Sequence, residues 1–259
     1  MSLAPVFSYV ADGPIFRLLI DAASAQLAVE VRHPARREAS FTVIDLAGPT
    51  LVFDGLGLPE PWFCGMSALV GGRLYLHTYP DQRYPDPKGI IAVAVAQQAI
   101  VWETPDWYLD RAEPHQVHVY RMGAEGREEM VLDAASGQPV LVAARGPSAE
   151  TAPSMPSPAQ YLPDSEQFAT VAKFVAQQFG LMPIHPIYYL EIHGQLILHL
   201  YHQVQAQLMG EWLVLDAATG AARLRVALPV KGLVGEPFLV HGHQLILIEG
   251  ENTLQIYLL

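Results

Sequence analysis

The sequence predicts an all-β chain folded as a five-bladed β-propeller with one inserted helix. Three observations carry that expectation. A proline followed by aromatic or apolar residues recurs at Pro14-Ile15-Phe16, Pro61-Trp62-Phe63, Pro105-Asp106-Trp107-Tyr108, Pro186-Ile187-Tyr188-Tyr189 and Pro237-Phe238. Most of these intervals are about 45–50 residues, the length of one blade, and the stretch from Pro105 to Pro186 is about one period plus an insert. An alternating apolar and polar run follows a glycine turn at Gly72-Arg73-Leu74-Tyr75-Leu76-His77, Gly194-Gln195-Leu196-Ile197-Leu198-His199 and Gly242-His243-Gln244-Leu245-Ile246-Leu247. Each reads as the second strand of a hairpin. The third observation is the match between Val131-Leu132-Asp133-Ala134-Ala135-Ser136-Gly137 and Val214-Leu215-Asp216-Ala217-Ala218-Thr219-Gly220, with a degenerate copy at Val43-Ile44-Asp45-Leu46-Ala47-Gly48. There a strand ends, the Asp carboxylate accepts turn N–H groups, and Gly supplies the positive φ that reverses the chain.

Taken in order, the blades are expected at residues 14–54, 61–103, 105–143 and 186–228. The fifth is expected at 235–259, and the whole chain, 1–259, is read as one propeller domain. Four strands per blade are expected, but the fifth has only three of its own. The segment 5–10, Pro5-Val6-Phe7-Ser8-Tyr9-Val10, resembles a fourth blade strand and would close the ring, removing an exposed sheet edge. The insert, 144–185, opens with Pro147, Pro153, Pro156, Pro158 and Pro163 and reads as non-regular chain. A helix is expected from Asp164, with Gln167 at the capping-box position and Gly180 as its stop. Phe168, Val171, Ala172, Val175 and Phe179 give it one apolar face, read first as a face packed on a neighbouring blade.

Composition bounds the function. Apolar residues make up 51% and charged residues 16%, which excludes global disorder. The net charge of −11 argues against nonspecific binding to nucleic acid or to an anionic membrane. One cysteine, Cys64, excludes an intramolecular disulfide and any multi-cysteine metal site. The start of the chain carries no secretory pattern and no apolar run is long enough for a transmembrane helix, so the expected location is cytoplasmic. Phosphate loops, dinucleotide fingerprints and nucleophile elbows are missing from the sequence, and no cofactor is expected.

The LDAASG and LDAATG segments resemble the repeats of the PQQ-like and YVTN-type β-propeller superfamily. The resemblance spans most of the chain at repeat level and implies the fold. It implies no cofactor, because the enzymes that hold pyrroloquinoline quinone are larger rings. The whole chain is also similar in length and layout to a family of small bacterial proteins carrying a domain of unknown function, which implies no particular activity.

Function candidates come from the strands that line a propeller's axis. On or just before them lie the carboxylates Glu60, Asp106, Asp110, Glu191 and Glu236, with the aromatics Trp62, Trp107, Tyr188 and Tyr189. These are the ligand-binding candidates, and no residue is assigned as catalytic or metal-binding. The expected function is a non-enzymatic module that binds a small molecule or a protein. The alternative is a hydrolase of a carbohydrate-like substrate, for which two carboxylates about 5–10 Å apart would serve as acid and nucleophile or base. His77, His118 and His199 occupy the same strand of three blades and are read as packing residues before metal ligands. The loop Tyr79–Lys88, with Arg83 and Tyr84, is a secondary binding candidate. Cys64 is expected to be a buried small hydrophobe.

Overall fold

The computed structural model of the protein describes residues 3–80, 86–140, 155–233 and 235–259. Among the described residues it is all-β with one helix, and the strands form five antiparallel sheets. The chain divides into two compact units, Met1–Val10 with Met155–Leu259, and Ala11–Ser154. Strand β1 (Pro5–Val10) belongs to the former.

The unit Ala11–Ser154 holds three sheets. The first contains β2 (Ile15–Asp21), β3 (Gln26–His33), β4 (Glu38–Asp45) and β5 (Thr50–Leu56), each strand beside the next. The second repeats that order with β6 (Cys64–Val70), β7 (Arg73–Thr78), β8 (Lys88–Ala94) and β9 (Ala99–Thr104). Their middle strands are near-continuous apolar runs, such as Leu27-Ala28-Val29 and Leu74-Tyr75-Leu76, because both faces of each strand are covered. Phe41 and Val43 of the first sheet and Met66, Leu74 and Leu76 of the second share one core.

Of the third sheet, the described residues hold β10 (Tyr108–Ala112), β11 (Gln116–Gly123) and β12 (Gly126–Asp133). Among the described residues it is continued by a bridge, Leu132 to Pro139, flanked by bonds from Asp133 N to Gln138 O (2.8 Å) and from Val140 N to Val131 O (2.9 Å). These two bonds flank Pro139, whose nitrogen therefore faces away from β12 and costs this ladder nothing. The rest of the expected strand, 141–143, lies outside the described residues, as do Pro147 and Pro153 of the insert and Arg83 and Tyr84 of the loop.

The other unit holds two sheets. A short strand inside the insert, β13 (Ala159–Tyr161), was not expected from the prolines around it. It adds a fifth strand to β14 (Ile187–Ile192), β15 (Gln195–Val204), β16 (Gln207–Asp216) and β17 (Ala222–Pro229). Tyr161 stacks on Tyr189 at 5.5 Å and the Gln160 amide donates to Tyr188 Oη at 3.1 Å, which holds β13 in register. Helix α1 (Glu166–Phe179) follows. Its cap is Ser165, not Asp164: Ser165 Oγ accepts the Phe168 N–H at 3.1 Å, so Phe168 and not Gln167 takes the third helical position. Gly180, at φ 68°, ends the helix in the left-handed conformation expected of it. Phe168, Val171, Ala172, Val175 and Phe179 pack on Leu198, Leu200, Leu213 and Leu215, so the helix covers its own sheet.

The last sheet has the order β1, β20 (Thr253–Leu258), β19 (Gln244–Glu249), β18 (Phe238–His241). The N-terminal strand thus supplies the fourth strand, with Ser8 opposite Gln255 and Tyr9 opposite Leu254. The Asp turns behave alike in both units. Asp133 Oδ1 accepts from Ser136 Oγ (2.7 Å) and Ser136 N (2.8 Å), and Asp216 Oδ1 accepts from Thr219 Oγ1 (2.8 Å) and Thr219 N (2.9 Å). The hydroxyl bond first, then the amide, holds both carboxyls below the usual range. Gly137 reverses the chain at φ 67°, and a Cβ there would lie 2.7 Å from the Trp102 ring, so only glycine fits.

Removing residues 1–10 strips β20 of its partner and bares its edge. The melting temperature is expected to fall by about 5 °C or more, at about 2–4 °C per kcal/mol for a chain of this size. A thermal melt of the shortened chain that overlays the full-length one would show that β1 contributes nothing to stability.

Candidate functional site

The third sheet presents an open face. Its inner face, Val117, Val119 and Leu132, packs on Tyr75, Ile90 and Ala92 of the second sheet. The residues between them alternate outward, and here the middle strands are buried on one face only. In the other sheets the second and third strands are covered more completely. The outer face carries Tyr108, Asp110, His118, Tyr120, Arg127 and Glu129 as one connected ladder. Tyr108 Oη donates to Asp86 at 2.8 Å, and the Tyr108 ring stacks on Tyr120 at 5.1 Å. The Arg127 guanidinium sits 4.0 Å from the Tyr120 ring centre and donates to Asp110 and Glu129, each at 2.8 Å. A register shift between Leu109 and Arg111 places the extra residue of β10, Asp110, at this ladder. Below it, Arg111 donates to Glu113 Oε1 at 2.9 Å and to His118 Nε2 at 3.1 Å.

The electrostatics are those of an ion-paired surface. The hydrogen bond to Asp86 raises the Tyr108 phenol, and the bond to Asp110 raises Arg127, so both stay donors. The Arg127 and Asp110 side chains are 44% and 45% exposed, and pairs this wet add little to stability. Two shallow clefts flank the ladder. One of about 370 Å³ is lined by Asp110, His118, Arg127, Glu129, Val131 and Val140. The other, about 390 Å³, is lined by Lys88, Asp106, Tyr108, Arg121, Met122 and Glu128. Beside it, Arg121 lies 4.7 Å from the Trp107 ring and pairs with Glu128 at 2.6 Å.

Of the residues singled out from sequence, Asp106, Trp107 and Asp110 come to this sheet, though the two acids line different clefts. Glu60 and Trp62 meet elsewhere in the same unit, where Glu60 Oε1 accepts from Trp62 N (3.1 Å) and Phe63 N (2.9 Å) and so fixes a turn. Tyr188 is buried in a core. Tyr189 donates to Glu191 at 3.3 Å, and burial first, then the Glu191 charge, raises its phenol. Glu236 is exposed at the start of the last sheet.

The ladder itself, Tyr108, Tyr120, Arg127 and Glu129, was not singled out. A signal existed: Gln116-Val117-His118-Val119-Tyr120 alternates strictly, whereas the corresponding strands elsewhere are runs of apolar residues. His118 also does not stand where His77 and His199 were aligned with it. Counting from the Gln opposite the turn Asp (Gln116 to Asp133, Gln195 to Asp216), Tyr120 takes the place that His199 takes.

A buried polar cluster joins the first two sheets. Glu30, 1% exposed, bonds to Arg32 and accepts from Met66 N at 2.9 Å. Arg32 also donates to Trp62 O (2.7 Å) and Cys64 O (2.5 Å), with its guanidinium between the Phe16 and Trp62 rings. Nearby, Ser67 Oγ lies 2.7 Å from His77 Nδ1. His77 Nε2 is buried and makes no hydrogen bond among the described residues. Burial first, then Arg17 and Arg32, pushes His77 down to about 4, and burial alone takes His199, enclosed by Tyr188, Tyr201 and Trp212, to about 3. Cys64 is fully buried and its thiol is pushed up to about 11, chiefly by burial, which leaves it inert. Among the described residues, no three His, Cys, Asp or Glu side chains gather to hold a metal ion, and no helix is long and apolar enough to cross a membrane.

Residues 20–102 match the model of a family described as a domain of unknown function (DUF4905). No curated protein matches the chain. Among solved structures it is similar to a europium-containing methanol dehydrogenase, at 13% identity over 95% of this chain and 51% of that one, with a TM-score of 0.32. It is similar to the hydrazine synthase of Kuenenia stuttgartiensis at 11% identity over 92% of this chain and 56% of that one, with a TM-score of 0.32. TolB from Acinetobacter baumannii gives 13% identity, 92% and 65% coverage and a TM-score of 0.31. The chain thus spans only 51% and 56% of the first two chains it matches. Likenesses at these scores carry no activity, cofactor or partner over to this chain.

The two buried histidines set an acid limit. Their imidazoles are lowered from an ordinary 6.5, so the unfolded chain takes up protons first as pH falls. Stability is complete above the unfolded value and declines from there toward about 4 for His77 and about 3 for His199. Each contributes a slope of about 1.4 kcal/mol per pH unit. Denaturant melts of His199→Phe between pH 7 and 5 should show a shallower loss than the parent. Parallel lines would mean that His199 is not buried in its neutral form.

Proposed function

We propose that the five sheets are the blades of one five-bladed β-propeller, its last blade completed by the N-terminal strand. We further propose that the chain is a non-enzymatic, cytoplasmic module that binds a protein through the open face of the third sheet. The meander order of the four-stranded sheets and the pairing of β1 with β20 support the propeller. One buried, unpaired thiol fits a reducing compartment.

The observation that carries the binding reading is the outward ladder of Tyr108, Tyr120 and Arg127. Tyr, Trp, Met and Arg are the side chains enriched at protein interfaces. This sheet also exposes Met122 at 69% and holds Trp107 under Arg121. Its clefts are shallow and ion-paired, a poor match for a deep apolar small-molecule pocket. The hydrolase alternative is weakened by the state of its acids. Glu60, Asp110 and Glu191 are each engaged by different structural partners, and each cleft holds one candidate acid.

The test uses Tyr120→Ala combined with Arg127→Glu. The pair removes a half-buried ring from the Tyr108 stack and sets an acid beside Asp110 and Glu129, at a cost of about 1–2 kcal/mol, so the melting temperature should fall by no more than about 8 °C. A protein retained by the immobilised parent chain from a homologous lysate should be lost with the double variant. A larger drop would mean that the face is packed inside the molecule. Release of aryl alcohol from aryl glycosides by the parent, abolished in Asp106→Asn, would overturn the non-enzymatic reading.

A further inference from the structure

Two hairpin turns in the unit containing the last two sheets bring a pair of histidines face to face. His193 and Gly194 form the turn between β14 and β15, both left-handed at φ 52° and 70°. Gly242 and His243 form the turn between β18 and β19, with Gly242 at φ 56°. The imidazoles of His193 and His243 stack with centroids 3.9 Å apart and planes inclined by 27°. Both residues are exposed.

The hydrogen bonding fixes one ring. His193 Nε2 lies 2.9 Å from Gly242 O. A carbonyl only accepts, so Nε2 carries the proton and Nδ1 carries the lone pair. This is the outer-shell arrangement that metal-bound histidines adopt: one ring nitrogen donates to a backbone carbonyl, which orients the other as a ligand. His243 is fixed at its backbone, where its carbonyl accepts the Leu259 N–H at 2.9 Å. Its ring is held only by the stack, and the torsion that turns an imidazole about its Cβ–Cγ bond has a broad minimum.

We propose that His193 and His243 form a two-imidazole clamp for a divalent transition cation of the Cu²⁺, Ni²⁺ and Zn²⁺ class. Nδ1 of His193 and one ring nitrogen of His243 are the protein ligands, and water fills the remaining positions. The lone pairs of two stacked rings lie in near-parallel planes and do not converge, so binding swings the His243 ring out of the stack until a metal stands about 2.0–2.1 Å from a nitrogen of each. Neutral nitrogen ligands select this class over Mg²⁺ and Ca²⁺, and Cu²⁺ is expected to bind most tightly of the three. The net charge of −11 raises the local concentration of cations around the chain.

Cu²⁺ is the probe, titrated into the full-length chain at neutral pH and followed by calorimetry and electron paramagnetic resonance. The parent should bind one ion at its tightest site, with coupling to two nitrogens. His243→Ala and His193→Asn should each weaken that site by about tenfold or more. Asparagine is chosen because it tolerates the left-handed backbone, so the turn survives. Their thermal melts in the absence of Cu²⁺ should match the parent's, and His241→Ala should bind as the parent does. Equal binding by the parent and by the His193→Asn, His243→Ala double variant would overturn the clamp. So would loss of the tight site in His241→Ala alone.

Discussion

Everything in these two units depends on covering the middle strands of each sheet from both sides. A strand such as Leu27–Val31 or Leu196–Leu200 has no solvent side, so any polar residue on it must be neutral or satisfied internally. Both solutions occur at corresponding places. Glu30 is satisfied by Arg32 and the Met66 amide. His77 and His199 give up their charge instead. Glu211, wholly buried on β16, takes a third route: Arg225 bonds to one oxygen and His202 Nε2 lies 2.8 Å from the other. Removing any one partner would leave a buried charge uncompensated, which costs far more than the pair itself contributes.

The third sheet is where that constraint relaxes. Its inner face obeys the rule and its outer face does not, so the residues facing out are free of the demand for apolarity. What occupies them is charged but paired. Each arginine has an acid within hydrogen-bonding distance, and the tyrosines stack between them. Such a surface is soluble without a partner because its charges are already balanced. Covering it would add buried aromatic area and would cost the desolvation of those half-exposed pairs, so any gain must come from the rings.

The sheet framework was legible because strand pattern and turn chemistry are local. The Asp turns at Asp133 and Asp216, the helix stop at Gly180 and the strand at Pro5–Val10 all follow from a few neighbouring residues. Three features were not legible. β13 depends on Tyr161 meeting Tyr189, a contact between distant residues in a proline-rich stretch. The helix cap moved to Ser165 because Asp164 and Ser165 are both good caps and only the fold selects between them. The place of Asp110 on the outer face turns on the register shift between Leu109 and Arg111, which no local pattern announces. The candidate acids fared unevenly for the same reason. Their strand positions follow from the repeat, but whether a carboxylate is idle or engaged depends on a partner such as Arg127, seventeen residues from Asp110.

Contacts between successive hairpin turns tie the sheets together, and their chemistry changes along the chain. Asp21 caps its own turn through the Ala23 amide and also accepts Gly71 N, at 2.8 Å, from the turn of the second sheet. Gly71 in turn sits so close to Pro114, in the turn of the third, that a Cβ would come within 2.9 Å of the proline backbone. In the other unit the corresponding contact is His193 donating to the carbonyl of Gly242. A carboxylate, a glycine packed on proline and an imidazole therefore serve one structural purpose. Of the three, the imidazole alone keeps a whole ring nitrogen, Nδ1, outside the contact. The carboxylate at Asp21 spends its oxygens on Ala23, Ser24 and Gly71, and the Gly71–Pro114 contact has no side-chain donor at all. A turn-to-turn contact built on histidine can thus hold two sheets in place and still leave a neutral ring nitrogen free of the contact.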